Sequence, residues 1–331
     1  MPASDSGRKL RSPARPPPAF IPRMITVVGS FNMDLFIEAP RFPAPGEAIL
    51  GGNFRRAPGG KGANQAYAVA RMGIPTAMVG AVGQDAFGDE MVANLLEVGI
   101  GTRGVVRRDT VASGTAVVIL DATGQNQIVV ANGANDTLTA AEVLAQRDSF
   151  VRSQAVIVQL ETPMEAVEAT LRLARECRII SVLNPAPYAP VTDAMLHMCD
   201  WIIPNENEAA KLTGAEVHDS ASAASAAVVL KLRSACPRVA VTLGANGVWL
   251  DTPEFTGHVP GFKVQAVDTV GAGDTFIGAF VARLVRGVPV REAARFACAA
   301  AAIAVTRRGA QASIPTASEV EEWLRQNGAA A

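Results

Sequence analysis

The sequence predicts an α/β fold, a doubly wound, mostly parallel sheet with helices on both faces, plus a small β-sheet lid. Three observations carry this expectation. After Met24, short β-rich runs alternate with longer amphipathic segments, the pattern of parallel strands joined by crossover helices. The short runs are almost continuously apolar, as strands covered on both faces must be. Two further stretches break the rhythm with β-prone residues and no helical period.

Along the chain, the strands are expected at residues 25–29, 76–82, 155–160, 179–183, 201–203 and 239–243. Thr139 with Glu142 and Thr316 with Glu319 have the spacing of capping boxes, and Thr162, Pro163 and Glu165 supply a further helix start. Gly73 and Gly99 follow amphipathic stretches, where a left-handed residue would end each helix. The two irregular stretches, 35–56 and 113–131, are punctuated by Pro43, Pro45, Gly46, Gly51, Gly52 and Gly124. They are expected to pair as a separate small sheet, serving as a flap over a site or as an oligomer contact. The first 23 residues hold Arg8, Lys9, Arg11, Arg15 and Arg23, one acid (Asp5), the run Pro16, Pro17, Pro18 and no apolar core region. That excludes a secretory signal and predicts a disordered tail, with Met24 a candidate natural start and 24–331 one α/β domain.

At 331 residues the chain is about twice the ~150 typical of one domain, enough for two domains or one large α/β unit. Lys and Arg number 30 against 31 Asp and Glu, so no global field draws in nucleic acid or an anionic membrane, and a small-molecule substrate is expected. No apolar run approaches the ~18 residues of a membrane span. The four cysteines (Cys177, Cys199, Cys236, Cys298) lie far apart without a CxxC, which predicts buried thiols in a reducing cytoplasm. His197, His218 and His258 have no ligand spacing, which argues against zinc and against Ser-His-Asp chemistry.

The most informative stretch is Asp268-Thr269-Val270-Gly271-Ala272-Gly273-Asp274, which leads into an apolar helix pattern at 277–285. Its small residues let a ligand approach the backbone, and the free N–H groups of a helix start favour an anion. Asp274 reads either as an N-cap or as the group that deprotonates a hydroxyl attacking a phosphoryl group held there. Gly59-Gly60-Lys61-Gly62-Ala63-Asn64-Gln65-Ala66 is not a Walker A loop, because Lys61 is not followed by Ser or Thr and Arg55 stands where a glycine is required. It is either a flexible loop or a loop closing on a polar ligand, with Asn64 available to hydroxyls. Asn32 and Asp34, two apart after the first strand, would face one side and suit a polyhydroxylated substrate, or else form an ordinary turn. Asn205 and Glu208 have cap spacing, and a carboxylate there would alternatively hold magnesium through water. The GxGxxG at 99–104 follows a helix rather than a strand and opens no helix, so dinucleotide binding is not expected.

In order and spacing, GSFNMD, PGGKGANQA, VQLE ending at Glu161, LNPAP, PNENEA, VTLGANGV, VDTVGAGDTF and AAAIAVTRRGAQ resemble the PfkB family of sugar kinases over residues 25–324. The resemblance implies ATP-dependent phosphorylation of the 5-hydroxyl of D-ribose, with Asp274 as base and Gly271, Ala272 and Gly273 as anion hole. It places Asn32, Asp34, Gly60, Lys61, Gly62, Ala63, Asn64 and Glu161 around the sugar. On the nucleotide side it implies Asn205, Thr242, Leu243, Gly244, Ala245, Asn246, Gly247, Gly273 and Cys298, with Glu208 supporting magnesium. It further implies a monovalent cation, usually potassium, at Asp268, Val270, Ala304, Arg307, Gly309 and Ser313, and a homodimer clasped through the lid. Rival readings are a kinase for deoxyribose, another furanose or a nucleoside, and a sugar-binding regulator that has lost catalysis.

Overall fold

The computed structural model describes residues 24–123 and 125–327 of the 331. The expected tail at 1–23, and Gly124 within the second irregular stretch, lie outside the described residues. The chain begins with β1 (Met24–Val28), β2 (Asn32–Glu38), β3 (Phe54–Gly59) and α1 (Lys61–Arg71), followed by β4 (Thr76–Gly83), α2 (Ala86–Glu97) and β5 (Gly101–Arg108). A hairpin of β6 (Gly114–Leu120) and β7 (Asn126–Ala131) precedes α3 (Ala140–Leu144), α4 (Arg147–Arg152), β8 (Ser153–Val158), α5 (Met164–Cys177) and β9 (Ile180–Leu183). Then come α6 (Asp193–Leu196), β10 (Trp201–Ile202), α7 (Glu206–Thr213), α8 (Ser220–Ser234), β11 (Arg238–Thr242), β12 (Val248–Asp251) and β13 (Thr256–Val259). The helices α9 (Ala272–Val285), α10 (Val290–Val305) and α11 (Ala317–Asn327) close the described chain.

The main sheet has nine strands in the order β13-β12-β11-β10-β9-β8-β1-β4-β5. From β11 to β5 every neighbour is parallel, and β12 and β13 extend one edge antiparallel. The chain winds outward from β1 in both directions, so the order reverses between β1 and β8. Ligands of open α/β sheets bind beyond the carboxyl ends of the strands at such a point. Both faces are covered. Residues such as Val69, Phe276, Phe280 and Ile303 of α1, α9 and α10 pack on one, and Leu171, Leu212 and Leu230 of α5, α7 and α8 on the other. Phe280 is fully buried and meets Trp201 edge-on at 5.0 Å between centroids; burial of such a ring contributes about 1.5–3 kcal/mol.

Each expected strand is present in this sheet, within two residues at either end. The Thr139/Glu142 capping box forms, Thr316 and Glu319 exchange the same pair of bonds, and Gly73 and Gly99 take φ of 74° and 79° after their helices. One expectation fails: α5 starts at Met164 with Pro163 at its N-cap, and the Thr162 hydroxyl makes no capping bond because the chain turns one residue later. The GxGxxG stretch runs from the end of α2 into β5, so no helix opens on it.

The irregular stretches do pair, as a four-stranded sheet in the order β3-β2-β6-β7. Its first segment, β2 with β3, already begins at Asn32 and ends at Gly59, wider than the expected 35–56. Asn135 explains the early start: its side chain accepts from the Phe31 N–H at 2.9 Å and donates to the Phe31 carbonyl at 2.9 Å. The pair of bonds turns the chain out of β1 and into the second sheet. Among the described residues no helix is long and apolar enough to cross a membrane.

Candidate active site

The carboxyl end of β1, the start of α1, the end of β8 and the start of α9 converge below the small sheet around a cavity of about 690 Å³. Asn32, Asp34, Gly60, Lys61, Asn64, Glu161 and Asp274 line it, with Phe36, Ala116 and Val118 of the small sheet above. Asn32 and Asp34 therefore do face one side, but from β2 rather than from a continuation of the first strand. The loop before α1 needs its glycines. Gly60 has φ 90°, and a Cβ there would stand 2.6 Å from the Asn32 backbone nitrogen; one on Gly62 would stand 2.5 Å from that of Ser30. Gly62 and Ala63 accordingly pack against β1 and the core instead of lining the cavity.

Within the cavity the carboxylates of Asp34, Glu161 and Asp274 gather around the Lys61 ammonium group. Burial pushes the Asp34 carboxyl up to about 7, helped by Glu161 and Asp274 and opposed by Lys61 and Arg55. Burial works to lower the Lys61 ammonium, yet Asp274, Glu161, Glu208 and Asp34 outweigh it and the net direction is upward. Glu161 is held by the Lys61 backbone N–H at 3.1 Å and by the Ser30 hydroxyl.

Asp274 is not an N-cap. Gly271, left-handed at φ 75°, occupies that position, and Asp274 is the third residue of α9, buried, with its side chain turned toward α1. There Asn64 donates to Oδ2 at 3.0 Å and Gln65 to Oδ1 at 2.9 Å. Burial raises its pKa, against the pull of Lys61, Asn64 and Gln65. Asn64, expected to reach substrate hydroxyls, spends its amide on Asp274 and accepts from Gln311 at 3.2 Å.

The N-terminus of α9 divides two cavities. Gly271 and Asp274 border the first, whereas Ala272 and Gly273 border a second of about 520 Å³; Ala266 and Thr269 line both. A Cβ on Gly273 would meet nothing within 4 Å, so the helix start opens directly onto this second space. Its first-turn N–H groups lack helical acceptors, although that of Ala272 reaches the Thr269 carbonyl at 3.3 Å, and they carry the positive end of the dipole, which suits a phosphate chain. Asn205, Thr242, Gly244, Ala245, Gly247 and Cys298 line the second cavity. Leu243 is buried in the core beneath it, the Asn246 carbonyl is taken by His258 at 2.7 Å, and Glu208 forms a complete capping box with Asn205. Burial pushes the Glu208 carboxyl up, opposed by the Asn205 N–H and by Lys61.

The segments holding Asp268, Val270, Ala304, Arg307, Gly309 and Ser313 also meet. Asp268 accepts from the Val270 N–H at 3.1 Å and the Gly309 N–H at 2.9 Å, and its own N–H reaches the Val305 carbonyl at 3.1 Å. The Arg307 guanidinium turns away to Glu319 at 2.8 Å. Sequence reasoning assigned no role to Asn135, Gln65, Asn184 or Gln311. The last three lie inside motifs already singled out, while Asn135 carries no local signal.

A cavity on each side of a helix N-terminus, with a carboxylate at the seam, defines this α/β protein as a small-molecule kinase. The chain belongs to the pfkB family of carbohydrate kinases, whose model matches residues 22–317. It is 41% identical to a ribokinase of Haemophilus influenzae, over 91% of this chain and 98% of that one. It is 35% identical to a deoxyribokinase of Salmonella typhi, over 92% and 99%. A structure of Arabidopsis thaliana ribokinase complexed with ribose and ATP superposes with a TM-score of 0.84 at 30% identity, covering 92% of this chain and 99% of that one.

Proposed function

We propose that this protein transfers the γ-phosphoryl group of ATP to the 5-hydroxyl of D-ribose, giving ribose 5-phosphate and ADP. The observation that carries the reading is the position of Asp274, at the border of the first cavity and within one helical turn of the N–H groups that open onto the second. Ribose occupies the first cavity, with Asp34 and Asn32 on its hydroxyls and Glu161 and Lys61 beside it. ATP occupies the second. Asp274 takes the proton of the 5-hydroxyl as its oxygen bonds to the γ-phosphorus and the bond to the β-phosphate oxygen breaks, while the backbone of Gly271, Ala272 and Gly273 offsets charge on the group in transit. Such a transition state needs alignment more than a strong base, so an ionised, firmly held carboxylate is sufficient.

Glu208 and Asn205 would support, through water, a magnesium ion bound with ATP, which would neutralise phosphate charge; both oxygens of Glu208 are already engaged by the cap. The oxygen-only donor set of the 268–270 and 304–313 segments suits potassium, which would order the loop before α9. We further assign a homodimer through the small sheet, supported by β7, exposed along its whole length with Ile128, Val129 and Val130, and by exposed Leu50 and Phe54. The four free cysteines suit a cytoplasmic setting.

Deoxyribose is a second acceptor to weigh, favoured by the deoxyribokinase relative. ADP release with ribose against 2-deoxyribose decides between them, and no release with any sugar overturns the kinase reading. Asp274→Asn is expected to fold and to lose roughly 10²-fold or more in turnover; near-full activity would reject its role.

A further inference from the structure

A buried chain of carboxamides surrounds Asp274 on the side away from the cavities. The Gln65 Nε2 group donates twice, to Asp274 Oδ1 at 2.9 Å and to Asn184 Oδ1 at 3.0 Å. Its oxygen accepts from Gln159 Nε2 at 2.6 Å, and Asn184 in turn donates to the Ile203 carbonyl at 2.9 Å. Gln65 and Gln159 are fully buried, and they come from α1 and from the end of β8. With the amide reversed, Gln65 would set its oxygen against the Asp274 carboxylate and its NH₂ against that of Gln159. Only one orientation satisfies all three neighbours. Gln159 is the fixed point: its oxygen finds no partner among the described residues, and it fills the place where a Cβ on Gly29 would stand, 2.0 Å away.

We infer that Gln65, locked by Gln159 and Asn184, is a positioning residue that holds the Asp274 carboxylate in the orientation required to accept the sugar proton. Gln65 touches no substrate cavity; it acts through Asp274. An N–H aimed at a carboxylate favours its ionised form. The charged groups around Asp274 are Lys61, which assists ionisation, and Glu161, Asp34 and Glu208, which oppose it. With three acids against one base, the two donors from α1 matter to the state as well as to the aim of the carboxylate.

The inference rests on Asp274 being the base, and the test separates the two ideas. In the full-length enzyme, Gln65→Leu is expected to lower kcat about 10-fold or more, to leave KM for sugar and ATP within about 2-fold, and to move the acid limb of kcat upward by roughly one pH unit. Gln159→Met covers the case in which Gln65→Leu fails to fold. It removes the donor that orients Gln65 together with an oxygen that has no partner, so its melting temperature should stay close to the parent's while kcat falls and the acid limb moves the same way. An unmoved acid limb in Gln159→Met, or in a folded Gln65→Leu, would reduce the chain to packing and overturn the inference. If Asp274→Asn retained near-full activity, the base assignment itself would fall instead.

Discussion

Replacing Asp34 by Asn should stabilise the sugar-free protein at pH 8 while weakening sugar binding. In the folded chain the Asp34 carboxyl is raised from 3.8 to about 7 by burial and by the Glu161 and Asp274 charges. Between those two values the folded state holds a proton that the unfolded state has lost. Stability therefore falls as pH rises through about 4 to 7, the reverse of a salt-bridged carboxylate. Above the window the penalty is the full shift, and at about 1.4 kcal/mol per pH unit it amounts to at most about 4 kcal/mol. Asn keeps the shape without the charge, but a poorly placed amide donor costs about 1–3 kcal/mol. The net gain at pH 8 is then about 1–3 kcal/mol, a few degrees in melting temperature for a chain of this size. Below pH 4 the advantage should vanish or invert, because Asp34 is protonated in both states. Thermal and denaturant melts of both proteins across pH 4–8, without sugar, measure this directly. Parallel curves over the whole range would refute the electrostatic reasoning, and an unchanged sugar KM in the variant would remove Asp34 from the sugar contacts.

Gly60→Ala should cost about 2 kcal/mol or more and most sugar-dependent turnover, because φ 90° and the 2.6 Å approach to the Asn32 nitrogen leave no room for a methyl group; an unchanged melt and turnover would contradict that geometry. ADP formation should run several-fold faster in potassium than in sodium, and equal rates would remove the cation from the 268–270 and 304–313 loops. Val129→Glu on exposed β7 should halve the mass seen by light scattering without changing the fold, whereas an unaltered mass would move the dimer contact elsewhere.

The parallel core was readable because its strands are buried on both sides and carry unbroken apolar runs, and the helix ends because capping is a local interaction within three or four residues. The small sheet was visible through β-prone residues, Pro and Gly punctuation and a loss of helical period, but its bounds were not. Its true start at Asn32 depends on Asn135, more than a hundred residues on, and no local pattern records that contact. β5 escaped notice because Gly101, Arg103, Gly104, Arg107 and Arg108 interrupt it, and β12 and β13 because short antiparallel edge strands carry little signal. At the site, Asp274 stood out through its glycine-rich neighbours, but whether it capped its own helix depended on Gly271 taking the N-cap. Gln65, Asn184 and Gln311 were in view as motif members without a role, since a carboxamide shows its purpose only when its partners are known.

The bonds that hold the Asp274 carboxylate join residues 64 and 65 to residue 274, sequence separations of 210 and 209. During synthesis, Asn64 and Gln65 leave the ribosome long before the group they orient. Any product of premature termination ahead of α9 lacks Asp274 and the helix start beside it. Competence thus arrives late and all at once, so catalytic output reports finished chains alone.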